Sequence, residues 1–150
     1  MCRAVRYHLI GRPLLAYACH CHDCQTRSGS AFALTLVVRT ADLQIMGDID
    51  VVKLLTPSGR ELDHHVCSIC KVRLFAKSTT ALDFASLRAG TLDDASWVFP
   101  VVQAYTESAI PWALIPGVRE VSQSEFDFAA LGREWRAKAP SFIAQNGPGG

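Results

Sequence analysis

The sequence predicts an all-β, single-domain protein with one short helix near its C-terminus. Three observations carry that prediction. Apolar residues fall in many short runs, several of them alternating with polar residues. Gly, Pro and Asp separate those runs at close intervals. Helical spacing of apolar residues is confined to one late stretch.

The strands read in order. Ala4–Leu9 carries Val5, Tyr7 and Leu9 at period two, and Leu14–Ala18 leads into a cysteine cluster. Phe32–Val38 is rich in Leu and Val, Asp42–Met46 alternates, and Val51–Thr56 follows. Pro57-Ser58-Gly59 has the composition of a tight turn. Leu62–Val66 and Arg73–Ala76 flank a second cysteine pair, and Phe84–Arg88, Val101–Tyr105 and Ala113–Ile115 complete the set. In the helix, Ser124 is the expected cap, Phe128, Leu131 and Trp135 share a face, and Pro140 ends it. Residues 1–145 are expected to form the domain and 146–150 a disordered tail.

At 150 residues, nearly half of them apolar, the chain can bury a core without covalent staples. The formal net charge is +1 and no basic block occurs, so composition gives no electrostatic footprint for nucleic acid or an anionic membrane. The runs Ala31–Val38 and Val98–Val102 are too short to span a bilayer. The opening MCRAVRYHLIGRP is charged and strand-like, unlike a secretory signal. A reducing, cytoplasmic setting is therefore expected, where clustered cysteines hold metal more often than they form disulfides.

Cysteine placement is the strongest chemical signal. Cys19, Cys21 and Cys24 lie within six residues, Cys67 and Cys70 have a two-residue gap, and Cys2 is the sixth. Two groupings are open. Cys21 and Cys24 could join Cys67 and Cys70 around one structural zinc, which spacing alone slightly favours. Alternatively, Cys19, Cys21 and Cys24 hold one ion while Cys2, Cys67 and Cys70 hold another. Three thiolates leave a tetrahedral ion one open position, the mark of a catalytic rather than a structural zinc.

Cys2-Arg-Ala-Val-Arg-Tyr7, the block Cys19-His-Cys-His-Asp-Cys-Gln-Thr-Arg-Ser-Gly-Ser-Ala-Phe32, Val66-Cys-Ser-Ile-Cys70, Ala89–Asp94 and Ser108–Trp112 occur in the order and spacing of a known family. On these motifs the chain resembles the glutathione-dependent formaldehyde-activating enzymes, which include centromere protein V. The resemblance implies a β-tent-like arrangement of short coiled antiparallel sheets, and it implies the second grouping. Cys19, Cys21 and Cys24 would then hold a catalytic zinc, and Cys2, Cys67 and Cys70 a structural one. The family's first structural cysteine would fall two residues before Cys2, and its two glycines are Arg3 and Lys71 here. Two explanations stay open: a natural start upstream of Met1, or a structural ion that is weak or missing. Water, the amino group of Cys2, His64 or His65 are the alternative fourth ligands.

A zinc ion with three thiolates has a net charge of about −1, which makes it a weak Lewis acid but a good acceptor of a soft fourth ligand. A thiol bound there loses its proton. The resemblance thus implies a carbon–sulfur lyase joining glutathione to formaldehyde, an S-(hydroxymethyl)glutathione synthase. A non-catalytic zinc-stabilised binding module or chaperone is the rival reading. Arg27, Ser28 and Gly29 are the candidate binding residues: Arg27 to offset the thiolate charge or bind a substrate carboxylate, with a plain surface charge as its alternative, and the Ser28-Gly29-Ser30 turn to present N–H groups to sulfur. His20 and His22 should point away from the ion as solvated loop residues, with a proton shuttle as their functional alternative. Asp23 is expected in a turn, and Trp97, Trp112 and Trp135 in the core. An open strand edge is compatible with a homodimer.

Overall fold

Ten strands and two α-helices follow one another in the computed structural model, which describes residues 2–56, 59–122 and 127–139. They are β1 (Arg6–Leu9), β2 (Leu15–Cys19), α1 (His22–Ser28), β3 (Ala33–Arg39), β4 (Leu43–Met46), β5 (Ile49–Leu55), β6 (Glu61–Cys67), β7 (Arg73–Ser78), β8 (Ala81–Arg88), β9 (Val102–Ala104), β10 (Arg119–Val121) and α2 (Phe128–Lys138). β1 and β4 form a two-stranded sheet, and the other eight strands form one sheet in the order β10-β9-β2-β3-β8-β7-β6-β5. The fold is mostly β, as the short alternating runs require. Two pairings depart from the antiparallel expectation: β9 runs parallel to both β2 and β10.

Side-chain alternation sorts the large sheet into two faces. On one face Ala16, Leu36, Val38, Ala85 and Leu87 are at most 1% exposed. Register brings Ala16 opposite Leu36, Leu36 opposite Leu87 and Val38 opposite Ala85, so these residues form one continuous patch of core. On the other face Tyr17, Thr35, Val37, Ser86 and Arg88 line an open cleft.

Four expectations needed revision. A second helix, α1, takes in Asp23 where a turn was expected; its N-cap is Cys21, whose Sγ accepts the Cys24 N–H. Ala113–Ile115 is not a strand: Pro111 opens a 3-10 turn over Pro111–Ala113, and β9 instead pairs with Arg119–Val121, whose Arg-Glu-Val sequence has no apolar alternation to reveal it. Trp97 and Trp135 are buried, but Trp112 on that turn is 79% exposed. In α2, Asp127 Oδ1 accepts the Ala130 N–H at 2.9 Å and caps the helix. Leu131 and Trp135 are buried as expected, whereas Phe128 lies at the cleft edge, 54% exposed. Ser124, Pro140, the 146–150 tail and residues 57–58 of the expected turn lie outside the described residues. Among the described residues no helix is long and apolar enough to cross a membrane.

Leu36 is completely buried at the centre of the core patch. Leu36→Ala is expected to lower the unfolding free energy by about 2–5 kcal/mol, measured by urea denaturation.

Candidate metal centre

The first cysteine trio is assembled where β2 runs into α1. Cys19 ends β2 on its cleft-facing side, Cys21 caps α1, and Cys24 lies one turn inside it. Cys21 has extended dihedrals, φ −63 and ψ 151, and its Sγ accepts the Cys24 N–H at 3.4 Å. Gly29, at φ 62, ends the helix in the left-handed region that glycine adopts without a Cβ clash. The Sγ atoms of Cys19 and Cys21 are 3.5 Å apart, and all three sulfurs lie within 4.8 Å of one another. Tetrahedral zinc with Zn–S of about 2.3 Å separates its sulfurs by about 3.8 Å, so donor type and spacing fit that ion. The thiols also hydrogen-bond one another. Cys19 and then Cys24 hold the Cys21 thiol down to about 2, while sharing with Cys21 pushes Cys19 up.

Cys2, Cys67 and Cys70 form a second group whose sulfurs lie within 4.8 Å, with Cys2 Sγ 3.6 Å from Cys67 Sγ. The structure therefore brings the six cysteines together as two trios and keeps Cys21 and Cys24 apart from the Cys67–Cys70 pair. Arg3 and Lys71, at the positions where the resemblance implies glycine, have φ 60 and φ 58. The turn geometry is thus kept without glycine, at a conformational cost of about 1–2 kcal/mol per residue. Lys71 offsets part of its share by donating from Nζ to Asp50 Oδ2 and the Ser68 carbonyl, each at 2.7 Å. Neither proposed histidine joins this trio. The His65 ring stacks on Phe75 at 4.2 Å, and His64 lines the cleft.

Among the neighbours, His20 is fully buried, which overturns its assignment to a solvated loop. It does point away from the sulfurs, but that side of β2 is the core side, continuing Ala16 and Ala18. The parity of residue number along β2 was the signal available for this. Nε2 of His20 lies 3.2 Å from Gln103 Oε1, which also accepts the Ile115 N–H at 2.7 Å. Gln103 donates in turn to the carbonyls of Ile115 and Val118, so its oxygen is the only acceptor left and Nε2 of His20 takes the donor role. Gln103, fully buried, was not singled out from sequence. Gln25 adds a second strut by donating to the carbonyls of His20 at 2.6 Å and Ser108 at 2.8 Å.

His22, Asp23 and Arg27 line the cleft, whereas Ser28 and Gly29 do not. The Gly29 N–H bonds the Gln25 carbonyl rather than a sulfur, and Ser28 Oγ donates to the Cys24 carbonyl at 2.7 Å. Those two residues shape the end of α1, which leaves Arg27 as the member of that set facing the site.

The trio opens into a cleft of about 1230 Å³. Its lining includes Arg27, Arg39, Arg60, Arg73, Arg88, Arg133 and Arg136 against one carboxylate, Asp23. A near-neutral whole conceals this local excess, which no linear charge run betrays. Arg88 reaches Cys24 Sγ with Nη2 at 3.7 Å and Thr35 Oγ1 with Nη1 at 3.4 Å. Nη1 of Arg73 lies across the His64 ring, 3.3 Å from Nδ1 and 3.2 Å from Nε2. Burial first, then the positive charges of Arg27 and Arg88, lower His64 to about 4, so it is neutral at pH 7. Tyr105 also lines the cleft at a left-handed φ of 56, and its hydroxyl accepts from Arg60 Nη2 at 3.1 Å.

A family profile described as glutathione-dependent formaldehyde-activating enzyme matches residues 1–108. Among solved structures, a crystal structure of a Rhodobacter sphaeroides protein is similar over 61% of this chain and 83% of its own, at 18% identity and a TM-score of 0.47. No curated protein sequence gives a significant match.

Two outcomes are expected. Arg3→Gly should raise the unfolding free energy by about 1 kcal/mol, because glycine occupies φ 60 without strain. Because the folded pKa of His64 lies below its unfolded value, the unfolded state binds more protons between about pH 4 and 6.5. Stability should fall as pH drops through that window. His64→Gln should flatten the slope relative to the parent chain, read from denaturation midpoints.

Proposed function

The chain belongs to the glutathione-dependent formaldehyde-activating enzyme family, and from that premise we propose that it is a zinc-dependent carbon–sulfur lyase. It joins a thiol of the glutathione type to a small aldehyde and releases the pair again, as an S-(hydroxymethyl)glutathione synthase does. The observation that carries the reading is the position of the Cys19–Cys21–Cys24 trio. It is a donor set short of four ligands, open to a cleft large enough for a tripeptide.

Cys19, Cys21 and Cys24 would hold the catalytic ion, and Cys2, Cys67 and Cys70 a structural one. When bound, zinc acidifies a substrate thiol, which at a pKa of about 8.5 is otherwise mostly protonated at neutral pH. The rest falls to the chain's own groups. Cleft guanidiniums draw in and orient an anionic thiol, lowering the entropic cost of bringing two reactants together. Arg88, in contact with Cys24 Sγ, offsets negative charge on the sulfurs. Phe84, Phe128 and the leucines of the lining give the outer cleft an apolar wall against which the body of the thiol compound can pack. Of the two flanking histidines only His22 lines the cleft, so it is the one placed to pass a proton to the alcohol oxygen formed on addition. The buried His20–Gln103 pair holds the loop between Cys19 and Cys21 in place.

Purified protein is expected to contain two zinc equivalents. Cys21→Ser should lose one equivalent and, with it, catalysis of thiol–formaldehyde exchange measured by NMR line shape. Cys67→Ser should lose the other equivalent and mainly lower the melting temperature. Full activity in Cys21→Ser would sink the assignment. A metal-replete protein that binds glutathione without accelerating exchange would make it a binding module instead.

A further inference from the structure

Arg27, Arg73 and Arg88 line the cleft into which the sulfur trio opens, and none of them forms a salt bridge among the described residues. Arg88 touches Cys24 Sγ, Arg73 lies across His64, and Arg27 and Arg88 are both close enough to act electrostatically on that ring. Nε of Arg73 is buried with no hydrogen-bond partner. Arg73 and Arg88 are half-buried and Arg27 is exposed at the same cleft. Half-buried guanidiniums without a carboxylate are unfavourable, and the cost is recovered when an anion arrives. Charge balance for the thiolates accounts for Arg88. It does not account for Arg73, whose ring contact is a neutral imidazole.

We infer that Arg27, Arg73 and Arg88 form a carboxylate-binding subsite beside Cys24, and that the carbonyl compound used in this cleft carries a carboxylate on its carbonyl carbon, as glyoxylate does. This rests on the thiol–aldehyde reading and narrows its second substrate. The reaction balances without an oxidant: a bond forms between the thiol sulfur and the aldehyde carbon, the C–O π bond opens, and the thiol proton ends on that oxygen. The carboxylate takes no part and stays on the arginines.

Position decides which reactant supplies the anion. A carboxylate held by a guanidinium sits about 2.7–2.9 Å from its nitrogens. With Arg88 Nη2 only 3.7 Å from Cys24 Sγ, such a carboxylate lies next to the sulfurs, where the attacked carbon must also be. In glyoxylate those two carbons are bonded to each other. The carboxylates of glutathione are separated from its sulfur by peptide links, and suit the outlying Arg39, Arg133 and Arg136 of the same cleft.

The test uses the full-length, zinc-replete protein. Addition of glutathione to glyoxylate and to formaldehyde is followed by NMR, and acetate is titrated while arginine Nε–H signals are recorded. Glyoxylate is expected to be preferred in kcat/KM by about tenfold or more, as loss of a charged hydrogen-bonded pair costs at least that. Arg73→Gln and Arg27→Gln should each reduce the glyoxylate-to-formaldehyde ratio by a similar factor, with Arg73→Lys intermediate as a folded control. Acetate should saturably shift the Nε–H signals lost in the Arg73 and Arg27 variants. Equal use of the two aldehydes overturns the subsite and leaves the thiol–aldehyde reading standing. So does a ratio that neither variant moves. Loss of discrimination between glutathione and 2-mercaptoethanol, in place of the aldehyde effect, assigns these arginines to the thiol and also overturns it. Inactivity toward both aldehydes, with metal in place, overturns both readings together.

Discussion

The register of β2 is the constraint on which the site depends. β2 lies between β3 and β9, and its residues alternate between core and cleft. Tyr17 and Cys19 face the cleft, while Ala16 and Ala18 are fully buried on the other side. A shift of one residue would send Cys19 into the core and dismantle the trio, because side-chain facing has a period of two. Burial of Leu36, Leu87 and Val38 behind β2 makes that shift costly. The position of one thiol is therefore secured by apolar packing on the opposite face of the sheet.

Electrostatics and backbone strain are concentrated at the same places. Seven arginines share one cleft, although the chain as a whole is nearly neutral. Among the described residues, the positive φ values outside glycine, at Arg3, Lys71 and Tyr105, fall beside the second cysteine trio and in the cleft. Such conformations persist only where their surroundings enforce them. At Lys71 the ion pair with Asp50 is part of that enforcement. The two trios differ in kind. One sits between a strand end and a helix cap and opens onto the cleft. The other joins the N-terminus to the β6–β7 turn.

Much of this was legible in the chain itself. Period-two apolar runs located most of the strands, and cysteine spacing restricted the metal groupings to two. Family resemblance, rather than spacing, selected the grouping that the sulfur distances then matched. What stayed hidden was whatever depends on strands distant in sequence. Gln103 is an ordinary polar residue until β9 is set beside β2, where it bonds His20. Arg73 and Arg88 are isolated charges until β7 and β8 bring them into the cleft that holds the trio. β10 escaped notice because an edge strand of three residues needs no apolar pattern. His20 is buried because it continues the core-facing parity of Ala16 and Ala18, which outweighs the usual exposure of a loop histidine.

The parallel pairing of β9 with β2 joins residues 17–19 to residues 102–104. Contacts of such long sequence separation form late, since a large loop must close first. During translation the Cys19–Cys24 segment leaves the ribosome well before the strand that locks it in place has been made. Over that interval its thiols have neither the buried Gln103 strut nor a finished neighbour on that side. The nascent chain then depends on the reductants and metal donors of its surroundings to keep those sulfurs intact until β9 has been made.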